Sequence, residues 1–387
     1  MRILQIHNKY LQKGGEDSVL ENEKNLLLLH GHQVEQLLFD NTTIEGLEKL
    51  KLIYKIVFNH DSAKILRKKI EEFKPDIIHV HNFFYVASPA IFYEAKKQHI
   101  PIIQTLHNFR LICSGSLLLR KGSVCELCIK KTFPLAGIQH KCFQDSLVKT
   151  TQLTLTTSLH KIWGTWKNKI DTYITLTHFI KDKFAHSSLG LNPSKIQVKP
   201  NFVEDLGFQV QTNRKNFFLF VGRLSKEKGI DIVLKASLIH DFHLEIIGGG
   251  EMQNVVQEYA QNNPNIVYHG FQQKEFILEK MKSAKALIFP SVWYEGMPMT
   301  ILESLSTGTP ILISDIKNLN EIITDHHNGL HFKTGNAEDL ASKIRYFETE
   351  NISHLYKNAR NTYLDKYTPE INYKILMKIY EDNIKKQ

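Results

Sequence analysis

The stretch of sequence that decides the fold reads SVWYEGMPMTILESL over residues 291–305. It follows the apolar run Ala286–Pro290, which is typical of a buried strand. Gly296 and Pro298 end this strand, and Met299–Thr307 then has the composition of a helix. The sequence therefore predicts a strand, a short loop and a helix, in that order.

This segment carries two glutamates that are eight positions apart. Glu295 falls in the loop, which we expect to be exposed, and Glu303 falls in the first turns of the helix. The free N–H groups of the helix N-terminus lie between them and suit a phosphate. The segment therefore predicts a nucleotide-sugar pocket, in which amides bind the diphosphate and carboxylates bind sugar and ribose hydroxyls. The alternative is a capped helix with two surface glutamates.

Short β-branched runs alternate with helical patterns along both halves of the chain. The strand candidates are Arg2–His7, Gln33–Leu38, Ile77–His81, Ile102–Leu106, Thr172–Leu176, Gln197–Lys199, Phe217–Val221, His243–Ile247, Ile266–Tyr268, Ala286–Phe289, Pro310–Ser314 and Gly329–Phe332. The helix candidates are Ser18–Leu29, Ser62–Phe73, Pro89–Gln98, Ile230–Ser237, Glu251–Asn262, Glu275–Ala284, Thr300–Ser306, Ile316–Ile323 and Ala337–Thr349. Strands separated by helices predict βαβ units, so each half is expected to be a doubly wound, Rossmann-like α/β domain with a parallel sheet.

The pattern resets near Pro200–Val203, which we take as the domain boundary. The first domain then covers residues 1–203 and the second covers 204–369. A terminal helix over Tyr373–Lys385 is predicted after a break at Pro369. Ligands of open α/β sheets bind at the carboxyl ends of the strands, so a cleft between two such domains is the expected site.

Length and composition fit this organisation. At 387 residues the chain exceeds what one hydrophobic core usually supports, and its 42% hydrophobic and 23% charged residues are ordinary for a globular protein. The first residues enter a strand without the layout of a signal peptide, and the sequence lacks an apolar stretch long enough to span a membrane. We therefore expect a cytoplasmic protein with reduced cysteines.

The net charge of +9 favours anionic partners, among them phosphorylated substrates, acidic lipids and nucleic acid. Lysines concentrate in Lys49–Lys74 and Lys161–Lys183. They are either solvated helix faces or a peripheral contact with the anionic inner face of the cell membrane.

Two further loops combine glycine with charge. Val221–Gly229 leaves a strong strand and enters a helix, and its Arg223 and Lys228 suit a diphosphate leaving group, although a solvated basic turn would look the same. Gly14 and Gly15 follow the first strand, where paired glycines allow close backbone approach to a ligand. The Gly14–Gly15 loop could also be only a tight turn, as could the similar turn at Gly248–Gly250.

These stretches together resemble the retaining GT-B glycosyltransferases of family 4, the glycosyl transferases group 1. The matching stretches are Gly14–Asp17, Val221–Gly229, Gly248–Glu251, Gly270–Phe271, Glu295–Glu303 and Gly308–Pro310. The resemblance covers nearly the whole chain. It implies two doubly wound Rossmann-like domains that face each other across a cleft, with the C-terminal helix, about 370–387, crossing back to the first domain.

The resemblance also implies a donor site and the roles of its residues. Glu295 would hold the transferred sugar and Glu303 the ribose. Arg223 and Lys228 would bind the diphosphate without a catalytic metal, and the backbone of Gly270 and Phe271 would pack on the base. The amides around Gly296, Met297, Pro298, Met299 and Thr300, with those of Gly14 and Gly15, would assist. His107, at the end of a first-half strand, would contact the donor sugar, whereas His79 and His81 are weaker candidates.

The four cysteines of the chain form Cys113-x11-Cys125-x2-Cys128-x13-Cys142 within one insertion of the first domain. The Cys-x2-Cys knuckle with two flanking thiols suits a structural zinc ion. His140 is an alternative fourth ligand, and free thiols or disulfides are alternatives to the metal. The insertion has little helix or strand pattern of its own, so a metal could supply its order.

The segment Leu159–Lys169 mixes Trp163 and Trp166 with lysines. Interfacial helices combine aromatic anchors with cations, so this helix could lie on an anionic membrane. The alternative is a helix that packs both tryptophans into its own domain.

The sequence therefore favours a glycosyltransferase that moves a sugar from a nucleotide-diphosphate donor to a glycan or lipid-linked acceptor, in cell-surface polysaccharide or glycolipid biosynthesis. A nucleotide-sugar epimerase or a glycan phosphorylase on the same fold is the first alternative. A zinc-dependent nucleic-acid-binding protein is the second, and we expect no nucleic-acid partner because no helix–turn–helix or aromatic RNA-binding signature is present.

Overall fold

A computed structural model describes residues 1–9, 14–44, 54–210 and 213–385. The chain divides into two compact units. The first unit comprises Met1–Leu118, Cys125–Pro200 and Asn372–Gln387, and the second comprises Leu119–Val124 and Asn201–Ile371.

The first unit is built on a six-stranded parallel sheet with the order β2-β1-β3-β4-β7-β8. Its strands are β1 Arg2–Lys9, β2 Gln33–Asp40, β3 Ile77–Val80, β4 Ile102–Leu106, β7 Thr172–Thr175 and β8 Ile196–Val198. Its helices are α1 Gly15–Leu29, α2 His60–Phe73, α3 Ala90–Lys97, α4 Leu135–Gln139, α5 Leu147–Ile162, α6 Thr165–Asn168 and α7 His178–Ala185. The antiparallel pair β5 Leu119–Arg120 and β6 Ser123–Val124 lies between β4 and α4 in the sequence.

The second unit contains a six-stranded parallel sheet with the order β11-β10-β9-β12-β13-β14. Its strands are β9 Phe218–Val221, β10 Leu244–Ile247, β11 Ile266–Tyr268, β12 Ala286–Phe289, β13 Ile311–Ser314 and β14 Gly329–Phe332. Its helices are α8 Ile230–Ile239, α9 Gln253–Asn262, α10 Lys274–Ser283, α11 Met299–Ser306, α12 Ala337–Thr349 and α13 Ser353–Lys366. The last helix, α14, runs from Pro369 to Ile384.

Both sheets are doubly wound, so each sheet has one point where its strand order reverses. It lies between β1 and β3 in the first unit and between β9 and β12 in the second. Strands buried on both faces read as continuous apolar runs, which is why β12 and β13 were readable from sequence. Ligands of such sheets bind beyond the carboxyl ends of the strands at these reversal points.

The last helix belongs mainly to the first unit. Leu376, Ile379 and Tyr380 join Ile3 and Ile77 of the first sheet in one apolar core. The helix begins at Pro369 itself and not after it, because proline is favourable in the first turn, where its missing N–H is not needed.

All twelve predicted strands are present, with small shifts at their ends. The predicted helix at 316–323 is wrong, because this segment forms successive turns. The Asn318 side chain donates to the backbone oxygen of Glu295, a tertiary contact that the local sequence pattern does not contain. Among the helices that the structure describes, none combines the length and apolar character needed to cross a bilayer.

Candidate active site

Two loops of the second unit meet at the point where the strand order reverses. One loop joins β9 to α8, and the other joins β12 to α11. Gly229 has a φ of +72°, and a Cβ at this position would lie 2.0 Å from the carbonyl oxygen of Pro290. Val292 N–H also donates to the carbonyl of Glu227 at 3.0 Å. Only glycine allows the first loop to approach the end of β12 so closely.

This approach places Lys228 against Glu295. The carboxylate oxygen Oε1 of Glu295 accepts from Lys228 Nζ at 2.6 Å, from Ser291 Oγ at 2.6 Å and from Trp293 Nε1 at 2.9 Å. Glu295 is only 5% exposed, so it is not the surface glutamate of the alternative interpretation. Three donors surround one oxygen and hold the carboxylate in a single orientation, which is how a preorganised site is built.

Lys228 retains access to solvent, because its side chain is 21% exposed. Its ammonium lies 5.7 Å from the centre of the Phe289 ring and 5.6 Å from the centre of the Trp293 ring. Ring faces attract a cation and so help to fix it. An ammonium has three N–H donors, and only one is needed for Glu295, so Lys228 can also bind an anion.

Arg223 was predicted to act beside Lys228, and it lies on the same loop. Its side chain is 57% exposed and forms an ion pair with Glu227 at 2.9 Å. The two cations of this loop therefore have different carboxylate partners, Glu227 for Arg223 and Glu295 for Lys228. An exposed pair of this kind is weak, so the Arg223 guanidinium can exchange Glu227 for another anion.

Glu303 lies on α11, eight residues beyond Glu295, as the sequence predicted. It is half-buried, and burial raises the pKa of its carboxyl group, while Lys274 acts in the opposite direction. Gly296, Met297 and Pro298 connect the two glutamates.

Helix α11 begins at Met299, with Pro298 as its N-cap, and Thr300 is its second residue. Met297 is buried, and its carbonyl accepts from the side-chain amide of Asn201 at 3.0 Å. This bond anchors the loop that leads into the helix. The first N–H groups of any helix have no acceptor within the helix, so those of α11 can receive a phosphate or carboxylate.

A second glycine turn packs against the first loop. Gly248 and Gly250 have φ values of +144° and +153°, and a Cβ at either position would strike the carbonyl oxygen of Gly222 or Leu224, at 1.9 and 2.5 Å. Gly270 also has a positive φ, of +69°. Phe271, which was predicted beside the nucleotide base, is 80% exposed, so a flat ring is available for stacking.

In the first unit, His107 lies at the carboxyl end of β4. Its Nε2 is 3.1 Å from Nδ1 of His81, and the two rings are stacked. Burial lowers the pKa of His107 to about 3, so its imidazole is neutral and one ring nitrogen is a donor. A cavity of about 20 Å³, lined in part by His107, His81 and Arg110, adjoins it and is large enough for one water molecule.

Gly14 is the N-cap of α1, and its N–H donates to Asp17 at 2.8 Å. Its φ is −129°, and a Cβ there would meet no atom within 4 Å, so the local backbone does not require glycine. Gly15 is the first residue of the helix. Asp17 also contacts the buried His7, whose Nε2 lies 3.1 Å from a carboxylate oxygen.

A buried charged network in the first unit was not predicted from the sequence. Lys199 Nζ is 2.5 Å from Glu23 and 3.2 Å from Asn372, and both members of the ion pair are fully buried. His81 and His79 lie 3.4 and 3.6 Å from the same carboxylate group. The partners are as much as 176 residues apart, so no local pattern could have revealed them.

The four predicted zinc ligands also fall in the first unit. Cys113 and Cys128 are buried, Cys125 and Cys142 are partly exposed, and none of the four forms a disulfide. Trp166 is 1% exposed and therefore packs into its own domain. Trp163 is 51% exposed, as a membrane anchor would be.

The chain matches two protein families in succession. Residues 30–205 match the family described as Glycosyltransferase Family 4, and residues 204–363 match the one described as Glycosyl transferases group 1. Together these matches cover most of the chain.

Curated relatives carry similar descriptions. An uncharacterized glycosyltransferase of Methanocaldococcus jannaschii is 24% identical over 76% of this chain and 72% of its own length. A UDP-Gal:alpha-D-GlcNAc-diphosphoundecaprenol alpha-1,3-galactosyltransferase of Escherichia coli is 25% identical over 69% of this chain and 71% of its own length.

Solved structures share the fold over almost the whole length of both chains. A glycosyltransferase from Rickettsia africae superimposes with a TM-score of 0.69 at 17% identity, covering 100% of this chain and 99% of that chain. HepE of Anabaena in complex with UDP also gives 0.69, at 16% identity, covering 98% of this chain and 100% of that chain.

Proposed function

The chain belongs to the glycosyl transferases group 1, which are GT-B glycosyltransferases, and on this premise we propose that it transfers a sugar from a UDP-sugar to a lipid-linked glycan. The observation that carries the proposal is the cluster around Glu295. A cation, a buried carboxylate and the N-terminus of α11 lie together at the point where the second sheet reverses its strand order. These are the groups that a sugar diphosphate requires.

In the proposed donor complex, Lys228 and Arg223 bind the diphosphate, together with the N–H groups at the start of α11. Lys228 keeps Glu295 as a neighbour, and the carboxylate group of Glu295 accepts from hydroxyls of the transferred sugar. Glu303 binds the ribose hydroxyls, and the exposed ring of Phe271 stacks with the base beside Gly270.

The chemistry that we propose is that of the retaining family which the sequence resembles. The acceptor hydroxyl attacks the anomeric carbon on the face from which the diphosphate leaves, so the anomeric configuration is retained. The bond between the anomeric carbon and the diphosphate oxygen breaks, and the proton of the hydroxyl passes to the departing phosphate. Arg223 and Lys228 stabilise the negative charge that grows on this leaving group, which allows transfer without a catalytic metal. His107 donates a hydrogen bond to a sugar hydroxyl.

The uridine base and the lipid-linked acceptor are proposed from relatives. The E. coli relative is described as using UDP-Gal and a diphosphoundecaprenol-linked sugar, and HepE was crystallised with UDP. A Campylobacter jejuni relative, 28% identical over 51% of this chain and 54% of its own length, is likewise described by a diphospho-undecaprenol substrate. We therefore propose an undecaprenyl-diphosphate-linked sugar as the acceptor.

Such an acceptor resides in a membrane, and the first unit has apolar side chains suited to reach it. Ile162 is 70% exposed and Trp163 is 51% exposed at the end of α5, in the lysine-rich segment 161–183. Apolar anchors with nearby cations favour an anionic surface. We propose peripheral contact with the inner face of the cell membrane through this end of α5.

The transferase proposal is tested by incubating the protein with a panel of UDP-sugars, with and without an undecaprenyl-diphosphate-linked sugar. UDP release that requires the acceptor, with a product whose new linkage is α, supports the proposal. Conversion of one UDP-sugar into its epimer without acceptor would identify an epimerase. Persistence of transfer in EDTA tests metal independence, and loss of transfer that Mg²⁺ restores would contradict it.

The membrane proposal is tested separately by sedimentation with vesicles that contain anionic phospholipid. Trp163→Ser should reduce the bound fraction several-fold, whereas the same change at exposed Phe271 should have no effect. Equal binding of the wild type to vesicles of neutral lipid would contradict a role for the lysines.

A further inference from the structure

All four cysteines of the chain lie in the insertion 113–142, and all four belong to the first unit. We propose that Cys113, Cys125, Cys128 and Cys142 bind one structural zinc ion. Four thiolate ligands complete a tetrahedral zinc site and leave no position for substrate, so this metal would support the fold and would not take part in transfer.

The cysteine segments converge around two glycines. A Cβ on Gly115 would lie 3.0 Å from the carbonyl oxygen and 3.3 Å from the Cβ of Cys142. A Cβ on Gly137 would lie 2.5 Å from Ser114 Oγ and 3.7 Å from the sulfur of Cys128. The segment after Cys113 therefore packs directly on Cys142 and on Gly137, and Gly137 lies beside the sulfur of Cys128. A side chain at Gly137 would clash with Ser114, so this approach favours glycine there.

Backbone N–H groups lie near two of the sulfurs. Those of Gly115–Leu118 are near the sulfur of Cys113, and that of Gly137 is near the sulfur of Cys128. N–H groups in this position can donate to a metal-bound thiolate. Cys125, three residues before Cys128 in the knuckle, is held by an N–H bond to the carbonyl of Leu118 at 2.7 Å.

The positive charge of the insertion complements the negative charge of a zinc–thiolate complex. Zinc with four thiolates carries a net charge of −2, and the insertion contains five basic side chains but only one carboxylate, that of Glu126. The half-buried Lys161, on α5, lies against the insertion and donates to the carbonyl of Lys131 at 3.1 Å. Positive surroundings favour a site of this charge.

The insertion also has little other support. Among the described residues, ten non-glycine residues have a positive φ, and six of them fall between residues 116 and 145. Each such residue is strained and persists only where its surroundings hold it. The regular structure here is a hairpin of two-residue strands and a five-residue helix, so a metal would provide the missing constraint.

A second group of candidate metal ligands does not carry the same inference. In the part of the chain that the structure describes, only Glu23, His79 and His81 place three ligand atoms within 4.8 Å of one another. Lys199 already neutralises Glu23, and both nitrogens of His79 are hydrogen-bonded to other side chains. The cysteine sulfurs do not form such a group, and zinc binding would bring them to about 3.8 Å from one another.

The test is the metal content of the full-length wild-type protein, purified under reducing conditions without a metal-affinity step. We expect one zinc per chain that survives gel filtration, is released by a mercurial thiol reagent, and shows only sulfur neighbours at about 2.3 Å in X-ray absorption. Cys128→Ser should retain less than a tenth of the zinc.

Wild-type protein with four freely titrating thiols and no zinc would overturn the proposal. A mass reduced by the hydrogens lost in disulfide formation would overturn it as well. His140→Ala is the matched control and should retain all the zinc. Loss of zinc in this variant would show that His140, and not one of the four cysteines, is the fourth ligand. The wild-type measurements decide the question even if Cys128→Ser does not fold.

Discussion

Two lysine–glutamate pairs in this protein have nearly the same length but different surroundings. In the first unit, Lys199 lies 2.5 Å from Glu23, and the side chains are 1% and 0% exposed. In the second unit, Lys228 lies 2.6 Å from Glu295, and the lysine is 21% exposed beside two aromatic rings. A lysine that reaches solvent can also bind a ligand, whereas a sealed lysine can only hold the fold. Exposure, and not distance, separates the two roles.

Removing Lys199, the fully buried cation, should have the largest effect on stability. Lys199→Ala leaves Glu23 buried without its countercharge, and we expect it to lower the free energy of unfolding by about 3–5 kcal/mol. Urea unfolding followed by the emission of Trp166, in a background with Trp163 and Trp293 replaced by Phe, reports on the first unit. Lys24→Ala, in an exposed pair on the same helix as Glu23, is the control and should cost no more than about 1 kcal/mol. An equal loss of unfolding free energy in Lys199→Ala and Lys24→Ala would contradict the special role of the buried pair.

Removing the accessible cation should affect activity most. Lys228→Ala is expected to lower kcat/KM for transfer by about 10²–10³-fold, because the charge that grows on the leaving group loses its partner. Its unfolding free energy should change less than in Lys199→Ala, since Ser291 and Trp293 still donate to Glu295. Lys226→Ala, an exposed change in the same loop, should leave kcat/KM nearly unaltered. A large loss of stability with normal turnover would assign Lys228 to the fold.

Acid should weaken the first unit through the histidines around its sealed pair. Burial lowers the pKa of His79 and His81 well below the ordinary 6.5, so both are neutral when folded. The unfolded chain then binds more protons below about pH 6.5, and stability is lost as the pH falls, by up to about 1.4 kcal/mol per pH unit for each histidine.

The same Trp166 emission, measured between pH 7.5 and 5.5, checks this sign. Stability that is flat or rises toward pH 5.5 would contradict neutral buried imidazoles. His79→Gln should give a shallower decline than the wild type.

The smallest effect is expected at the exposed pair of the second unit. Arg223→Ala should weaken UDP-sugar binding about tenfold while changing the unfolding free energy by no more than about 0.5 kcal/mol. Calorimetric titration at low and high salt measures the binding, and Arg345→Ala on the surface of α12 is the control. A donor dissociation constant unaltered in Arg223→Ala would contradict its assignment to the diphosphate.

The sequence contained most of the fold because the signals for it are local. Apolar runs such as Ala286–Phe289 gave all twelve strands of the two sheets. The turns at 316–323 were mistaken for a helix because the bond from Asn318 to Glu295 is a tertiary contact, which periodicity does not contain. Residues 147–162 were missed as one continuous helix because several threonines weaken the helical signal, although their hydroxyls bond back to the preceding turn.

The site was predictable in its parts but not in its connections. The sequence placed Glu295 and Lys228 on loops that leave two strands of the second domain, but it did not indicate that these strands are neighbours, that the two side chains form an ion pair, or that Glu295 is buried. The contact depends on Gly229 against Pro290, a packing relation between segments about 60 residues apart. The Glu23 and Lys199 pair was entirely unpredicted for the same reason, since buried charges carry no periodic pattern.

The assignment of residues 372–385 to the first unit has a consequence for biosynthesis. Asn372, Tyr380 and Asn383 contribute side-chain hydrogen bonds to Lys199, His79 and Thr172. Although its sheet is encoded first, this unit cannot reach its final packing on the ribosome until those late residues have been translated. The usual order, in which the N-terminal domain matures before the next is made, is therefore reversed here, and the second unit can fold first.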